Sequence, residues 1–227
     1  MAPARNLTID RLDALRHKLL AMLATVEQAI DSCIEAYCQR DEARAWSVAS
    51  HDHAINEMET CIDEMGMRLL AREGPLAQDL RTVLATMRIA NDIERMADEA
   101  ANIAERTMPL VALPPLPFDD DFKAFVPLVR NMVRQAVQCV VDMDADLGRR
   151  LAELDEGVDC GLRQLTLKVV QYMKSHPDNI EAALSFLIIC RRLERIGDLS
   201  TNIGESVFFA VRGVNAKHSH FDDDDMA

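Results

Sequence analysis

The sequence predicts an all-α fold made of two similar three-helix bundles in tandem. Three observations carry that expectation. Helix formers such as Ala, Leu, Met, Glu and Arg dominate the 227 residues, while Gly and Pro number only eight each and fall mostly between periodic segments. Apolar residues recur at the helical spacing, and alternating runs of the kind strands need are hard to find. The segment "NDIERMADEAANIAE", 91–105, returns 100 residues later as "RRLERIGDLSTNIGE".

The elements follow in order. Thr8 is placed to cap a first helix that extends to about Gln39, and Asp41 to cap a second that continues into "LLAREGP", where Gly74 and Pro75 stop it. A third helix spans about Leu76 to Arg106, so residues 8–106 form the first bundle. Residues 107–121, "TMPLVALPPLPFDDD", contain four prolines at 109, 114, 115 and 117. Proline removes a backbone donor and blocks a continuous helix, which makes this segment the expected linker. The second bundle, 122–213, has helices from about Phe122 to Met143, with Pro127 tolerable only near its first turns, and from Asp146 to Lys174. Its last helix opens on Pro177 and ends near Gly213. Residues 214–227, with their "FDDDDMA" end, are expected to be a disordered acidic tail. Trp46 is expected to anchor the first two helices together.

The formal charge of -13 argues against nucleic acid or an anionic lipid surface as the main partner. Cations and basic protein patches suit it better. No apolar run is long enough to span a bilayer, and the N-terminus lacks the apolar stretch of a secretory signal, so a cytoplasmic protein is expected. The six cysteines show no CxxC spacing and fit buried thiols better than disulfides. No nucleophile with its base, Gly-rich phosphate loop or GxSxG elbow is present, and the chain is expected not to be an enzyme.

The repeat preserves acids. Between 91–106 and 191–206 the identical pairs are Glu94 and Glu194, Arg95 and Arg195, Asp98 and Asp198, Asn102 and Asn202, Ile103 and Ile203, and Glu105 and Glu205. Only one of these pairs is apolar, so the repeat keeps chemistry as well as packing. On a helix, Glu94, Asp98 and Glu105 fall at about 0°, 40° and 20°, with Asn102 at about 80°. They make one ridge bordering the core face of Ile93, Met96, Ala97, Ala100, Ile103 and Ala104. Asp52, Asn56, Glu59 and Asp63 form a similar ridge on the preceding helix, and Asp155 and Asp159 take corresponding places in the second half. Ala97 and Ala104, matched by Gly197 and Gly204, are small enough for neighbouring helices to approach closely there.

Like charges four residues apart cost a helix a few tenths of a kcal/mol per pair. A multivalent cation bridging two ridges would offset that cost. Carboxylate and amide oxygens suit iron, zinc, manganese, magnesium or calcium. Glu-x-x-His is absent, since Ala97 and Gly197 stand where its histidines would be, which speaks against a ferritin-like oxidase. The competing reading is a solvated surface neutralised by Arg88, Arg95 and Arg191.

The paired elements "DIERMADEAANIAE" and "LERIGDLSTNIGE", with "LLAREGPLAQDLRTVLATMRIAND" and "HPDNIEAALSFLIICRRLERIGD", resemble the PhoU family from about Leu12 to Val211. The resemblance implies a cytoplasmic protein, often a homodimer, of two three-helix bundles that bind metal clusters through E/DxxxD carboxylates. It implies a negative regulator of phosphate uptake and of the phosphate-starvation response. Such a regulator links the ATPase subunit of the phosphate ABC transporter, PstB, to the sensor kinase PhoR. By position the resemblance implies metal ligation by Glu94, Asp98, Glu194 and Asp198, and by Asp52, Asn56, Asp155 and Asp159. Asn102 and Asn202 join them as candidate oxygen donors, with iron or zinc foremost among the metals. Asn56 departs from the usual acid, and Arg192 stands where the first copy has Asp92. The alternative is a carboxylate metal-storage or metal-dependent hydrolytic protein on the same scaffold.

Overall fold

A computed structural model describes the backbone at residues 2–50 and 52–214 and the side chains at 9–50 and 54–214. Seven α-helices follow one another: α1 Ala2–Gln39, α2 Glu42–Ser50, α3 Asp52–Glu73, α4 Gln78–Val111, α5 Asp119–Asp142, α6 Ala145–Ser175 and α7 Ile180–Arg212. A single 3-10 turn, Pro177–Asn179, leads into α7, and no strand occurs among the described residues. The expected second helix is thus represented by α2 and α3, on either side of residue 51. Residues 215–227 lie outside the described residues, and so does most of the expected tail.

Caps define the helix ends. Asp41 Oδ1 accepts from the Arg44 amide at 3.0 Å, opening α2 as expected. Asp144 accepts from the amides of Asp146 at 2.9 Å and Leu147 at 3.0 Å and opens α6. Gly213, with φ 78°, closes α7 in the left-handed region that costs other residues more. Thr8 is not a cap, because α1 already includes it.

The linker is shorter than its prolines suggest. Residues 107–111 continue α4 with Pro109 in the last turn, and 119–121 already belong to α5, which leaves 112–118 as the connection. Arg40 supplies the reason at one end. Its guanidinium donates to the carbonyls of Leu110 at 2.7 Å and Val111 at 2.8 Å in the last turn of α4, and to that of Leu113 just beyond it. At the other end Asp119, Asp120 and Asp121 occupy the first turn of α5, where the helix dipole favours negative charge. Pro127 lies in the third turn of α5, further in than expected. Its face is exposed, and water can serve the carbonyl that loses its partner.

Helix α4 packs most extensively against α7, so the two bundles, α1–α4 and α5–α7, share one continuous core. The pair is antiparallel: Arg81 near the start of α4 donates to the Ala210 carbonyl at 3.3 Å, while Glu99 lies beside Arg192 and Arg195. At one end Tyr37 of α1 meets Phe122 of α5 and Phe186 of α7, with ring centroids 4.6 and 5.8 Å apart. Trp46, by contrast, is 65% exposed and anchors nothing. Cys33, Cys139 and Cys190 are buried as expected, whereas Cys38 and Cys160 are exposed.

Small residues set the spacing of α6 and α7. A Cβ on Gly204 would lie 2.7 Å from the Gly148 carbonyl oxygen and 2.8 Å from Leu151, so the two backbones touch. Gly157, on the outer surface of α6, has nothing within 4 Å of its would-be Cβ. Gly204→Ala is therefore expected to cost about 1–3 kcal/mol by wedging the helices apart. Gly157→Ala should gain about 1 kcal/mol from helix propensity alone. Urea unfolding of the two variants checks this pair of opposite signs.

Candidate metal centre

The seam between α6 and α7 gathers four of the expected ligands. Asp155 and Asp159 project from α6, and Glu194 and Asp198 from α7. The antiparallel register set by Gly148 and Gly204 brings Asp155 level with Asp198, and Asp159 level with Glu194. Gly197 faces the same seam: a Cβ there would lie 3.6 Å from Asp155 Oδ1, an ordinary contact, and 3.3 Å from the Met132 sulfur.

The electrostatics record the crowding. Burial, then the charges of Asp198 and Asp159, push the Asp155 carboxyl up to about 6. Burial, then Asp198, Asp159 and Asp155, raise Glu194 to about 6 against the opposing influence of Arg191. Asp198 is raised by burial and Asp159, with Arg195 pulling the other way. Asp155 Oδ1 is shielded from solvent and has no hydrogen-bond partner. A buried, unsatisfied carboxylate oxygen among three other acids is costly in a metal-free protein.

The first bundle offers a looser counterpart. Glu94 and Asp98 are half-buried on α4, and Asn56 on α3 has its side-chain oxygen shielded from solvent. The side chain of Asp52 lies outside the described residues. Asn102 donates to the Asp98 carbonyl at 2.7 Å, which occupies its nitrogen and leaves its oxygen as the available ligand. Asn202 lines a cleft of about 550 Å³ between α3, α4 and α7, whose walls include neither Glu194 nor Asp198. Glu59 and Asp63 line the same cleft, and Glu59 is raised by burial and by Asp63, against a hydrogen bond with Thr60. Glu105 points to solvent.

Among the described residues, no group of three or more His, Cys, Asp or Glu side chains is already placed to hold a metal ion. The seam is instead an open row of oxygen donors. Its residues fit a hard or borderline cation. The donors are carboxylates, they repel one another, and one of their oxygens is buried with no proton donor near it. Asp155, Asp159, Glu194 and Asp198 would hold such an ion in the second bundle.

A sequence model described as the PhoU domain matches the chain twice, at 19–107 and 126–207. The chain belongs to the PhoU family. It is 36% identical over 213 residues to a phosphate-specific transport system accessory protein PhoU homolog of Pseudomonas putida, covering 91% of this chain and 81% of that one. The crystal structure of PhoU from Pseudomonas aeruginosa superposes with a TM-score of 0.87 at 34% identity, over 90% of this chain and 99% of that one. The phosphate transport system regulatory protein PhoU from Streptococcus pneumoniae does so at 0.84 and 26%, over 92% and 98%. Both matched segments contain the acidic repeat, and the internal duplication is that of the PhoU fold. No helix among the described residues is long and apolar enough to cross a membrane.

The residue that periodicity missed is Glu99. It is only 6% exposed and faces the other bundle, where Arg192 and Arg195 of α7 reach it at 2.8 Å each. The signal for it was a pair of departures in the repeat: Arg192 replaces Asp92, and Leu199 replaces Glu99.

The raised carboxyls carry a definite pH dependence. With Asp155 and Glu194 raised, the folded chain holds protons that the unfolded chain releases between about pH 4 and 6. Metal-free stability must therefore fall as pH rises through that window, and the penalty persists at pH 7. Asp155→Asn is expected to stabilise the chelator-treated protein at pH 7 by about 1 kcal/mol, allowing for solvent screening of half-buried groups, and to flatten the slope. Urea unfolding across pH 4–7 measures both effects.

Proposed function

We propose that the chain is a cytoplasmic, metal-binding regulatory adaptor of phosphate homeostasis that acts without catalysis of its own. The observation that carries this reading is the double match to the PhoU domain, with accessory proteins of phosphate-specific transport as relatives along nine-tenths of the chain. In this reading the protein restrains phosphate uptake and phosphate-starvation signalling when phosphate is abundant. It does so by linking the transporter's ATPase subunit PstB to the sensor kinase PhoR. The net charge of -13 favours basic partner patches and fast, salt-sensitive encounter. Homodimerisation would present such surfaces in duplicate.

The seam gives the adaptor a part that responds to cations. An ion bound by Asp155, Asp159, Glu194 and Asp198 would neutralise their repulsion and tie α6 to α7. Glu94, Asp98 and the acids and amides of α3 would do the same between α3 and α4. Iron or zinc is the leading choice for the ion, with manganese, magnesium or calcium also compatible with oxygen donors. The ion's role is structural: it fixes the helix faces that partners meet.

Deleting the gene in its source organism is expected to switch on a phosphate-starvation reporter in phosphate-rich medium. Returning the wild-type chain should silence it again. A reporter that stays silent after deletion would remove the chain from phosphate signalling, and failure of the purified protein to bind either PstB or PhoR would contradict the adaptor role.

A further inference from the structure

We infer that Glu99 is a positioning residue for the second-bundle cation site, holding Arg195 away from the carboxylate of Asp198. The inference rests on the metal-binding reading of the α6–α7 seam. Its geometry is independent of that reading. Glu99 belongs to the first bundle, is almost wholly buried, and takes one guanidinium on each oxygen: Arg192 on Oε2 and Arg195 on Oε1, both at 2.8 Å.

Arg195 needs such a partner because of where α7 places it. Arg195 directly follows Glu194 and stands three residues before Asp198, so it shares a helix face with Asp198. A guanidinium free to turn along α7 would pair there and supply from within the protein the positive charge that a cation would otherwise bring. The first copy shows what an arginine in that position does where the matching place on the other helix is Leu199. Arg95 turns along its own helix to Asp92, three residues back, at 3.3 Å. In the second copy the place of Asp92 is taken by Arg192, so Arg195 has no acid behind it and only Asp198 ahead.

The two departures from the repeat thus complement each other. Arg192 removes the acid that would draw Arg195 back along α7, and Glu99, at the place of Leu199, takes both guanidiniums across to the other bundle. A Leu at 199 leaves no equivalent clasp reaching from α7 to Arg95. The same contact that fastens α4 to α7 therefore keeps the α6–α7 seam negative. That couples packing between the bundles to charge within one of them.

The test uses the full chain, manganese as the probe, and calorimetric titration of wild type, Glu99→Gln, and Glu99→Gln combined with Arg192→Gln and Arg195→Gln. Glu99→Gln is expected to weaken manganese binding by about tenfold, as one guanidinium a few ångströms from the ion would. The triple variant should recover wild-type affinity or exceed it. Unchanged affinity in Glu99→Gln overturns the inference, and so does a triple variant as weak as the single one, because both would assign Glu99 to packing alone. A crystal structure of metal-free Glu99→Gln separates the two readings: Arg195 is expected on the Asp198 carboxylate. If wild type takes up no manganese while Arg195 makes that move, the cation site falls and the positioning role stands. If Arg195 stays where it is, the positioning role falls.

Discussion

Four carboxylates crowd the seam between α6 and α7, two of them half-buried and two open to water, and their mutual repulsion is the constraint on that helix pair. Asp155, Asp159, Glu194 and Asp198 come together because Gly148 and Gly204 let two helix backbones touch. The closeness that gives good packing also brings the carboxylates into mutual repulsion and strips water from one of their oxygens. Burial alone would select neutral residues at these places. The cost falls on the half-buried Asp155 and Glu194, whereas Asp159 and Asp198 stay open to water.

The neighbouring arginines illustrate the same constraint from the opposite side. Four of them, Arg95, Arg191, Arg192 and Arg195, lie within a turn or two of the acidic ridges, yet two are spent on Glu99 across the bundle interface and one on Asp92. The two pairs on Glu99 fix α4 against α7, and the pair on Asp92 stays within α4. The central helix pair, the shared core and the aromatic contacts of Tyr37 make the two bundles one packed unit. A change in charge at the seam is therefore felt by helices packed into the core both bundles share.

The helical architecture was legible in the sequence because apolar periodicity, caps such as Asp41 and Gly213, and the hundred-residue repeat all agreed. The pairing of acids across α6 and α7 followed from helical angles plus small residues at 197 and 204. Linker length was not legible. Proline content marks a break, but Arg40, seventy residues away in sequence, holds the end of α4 beyond Pro109. Trp46 failed for a related reason: size and hydrophobicity do not reveal which face of α2 meets water. Glu99 was invisible to a one-helix argument because its partners belong to the other bundle, although the exchange of Asp92 for Arg192 hinted at them.

Metal content per chain, measured by mass spectrometry on protein purified without an affinity tag and then exposed to iron, zinc, manganese and magnesium, tests the central claim most directly. The comparison is between wild type and a variant carrying Glu94→Ala, Asp98→Ala, Glu194→Ala and Asp198→Ala. If cations compensate the acidic seams, wild type carries about one or more ions per bundle and the variant carries none. If both remain metal-free, the carboxylates are a solvated or partner-facing surface, and compensation by metal is wrong.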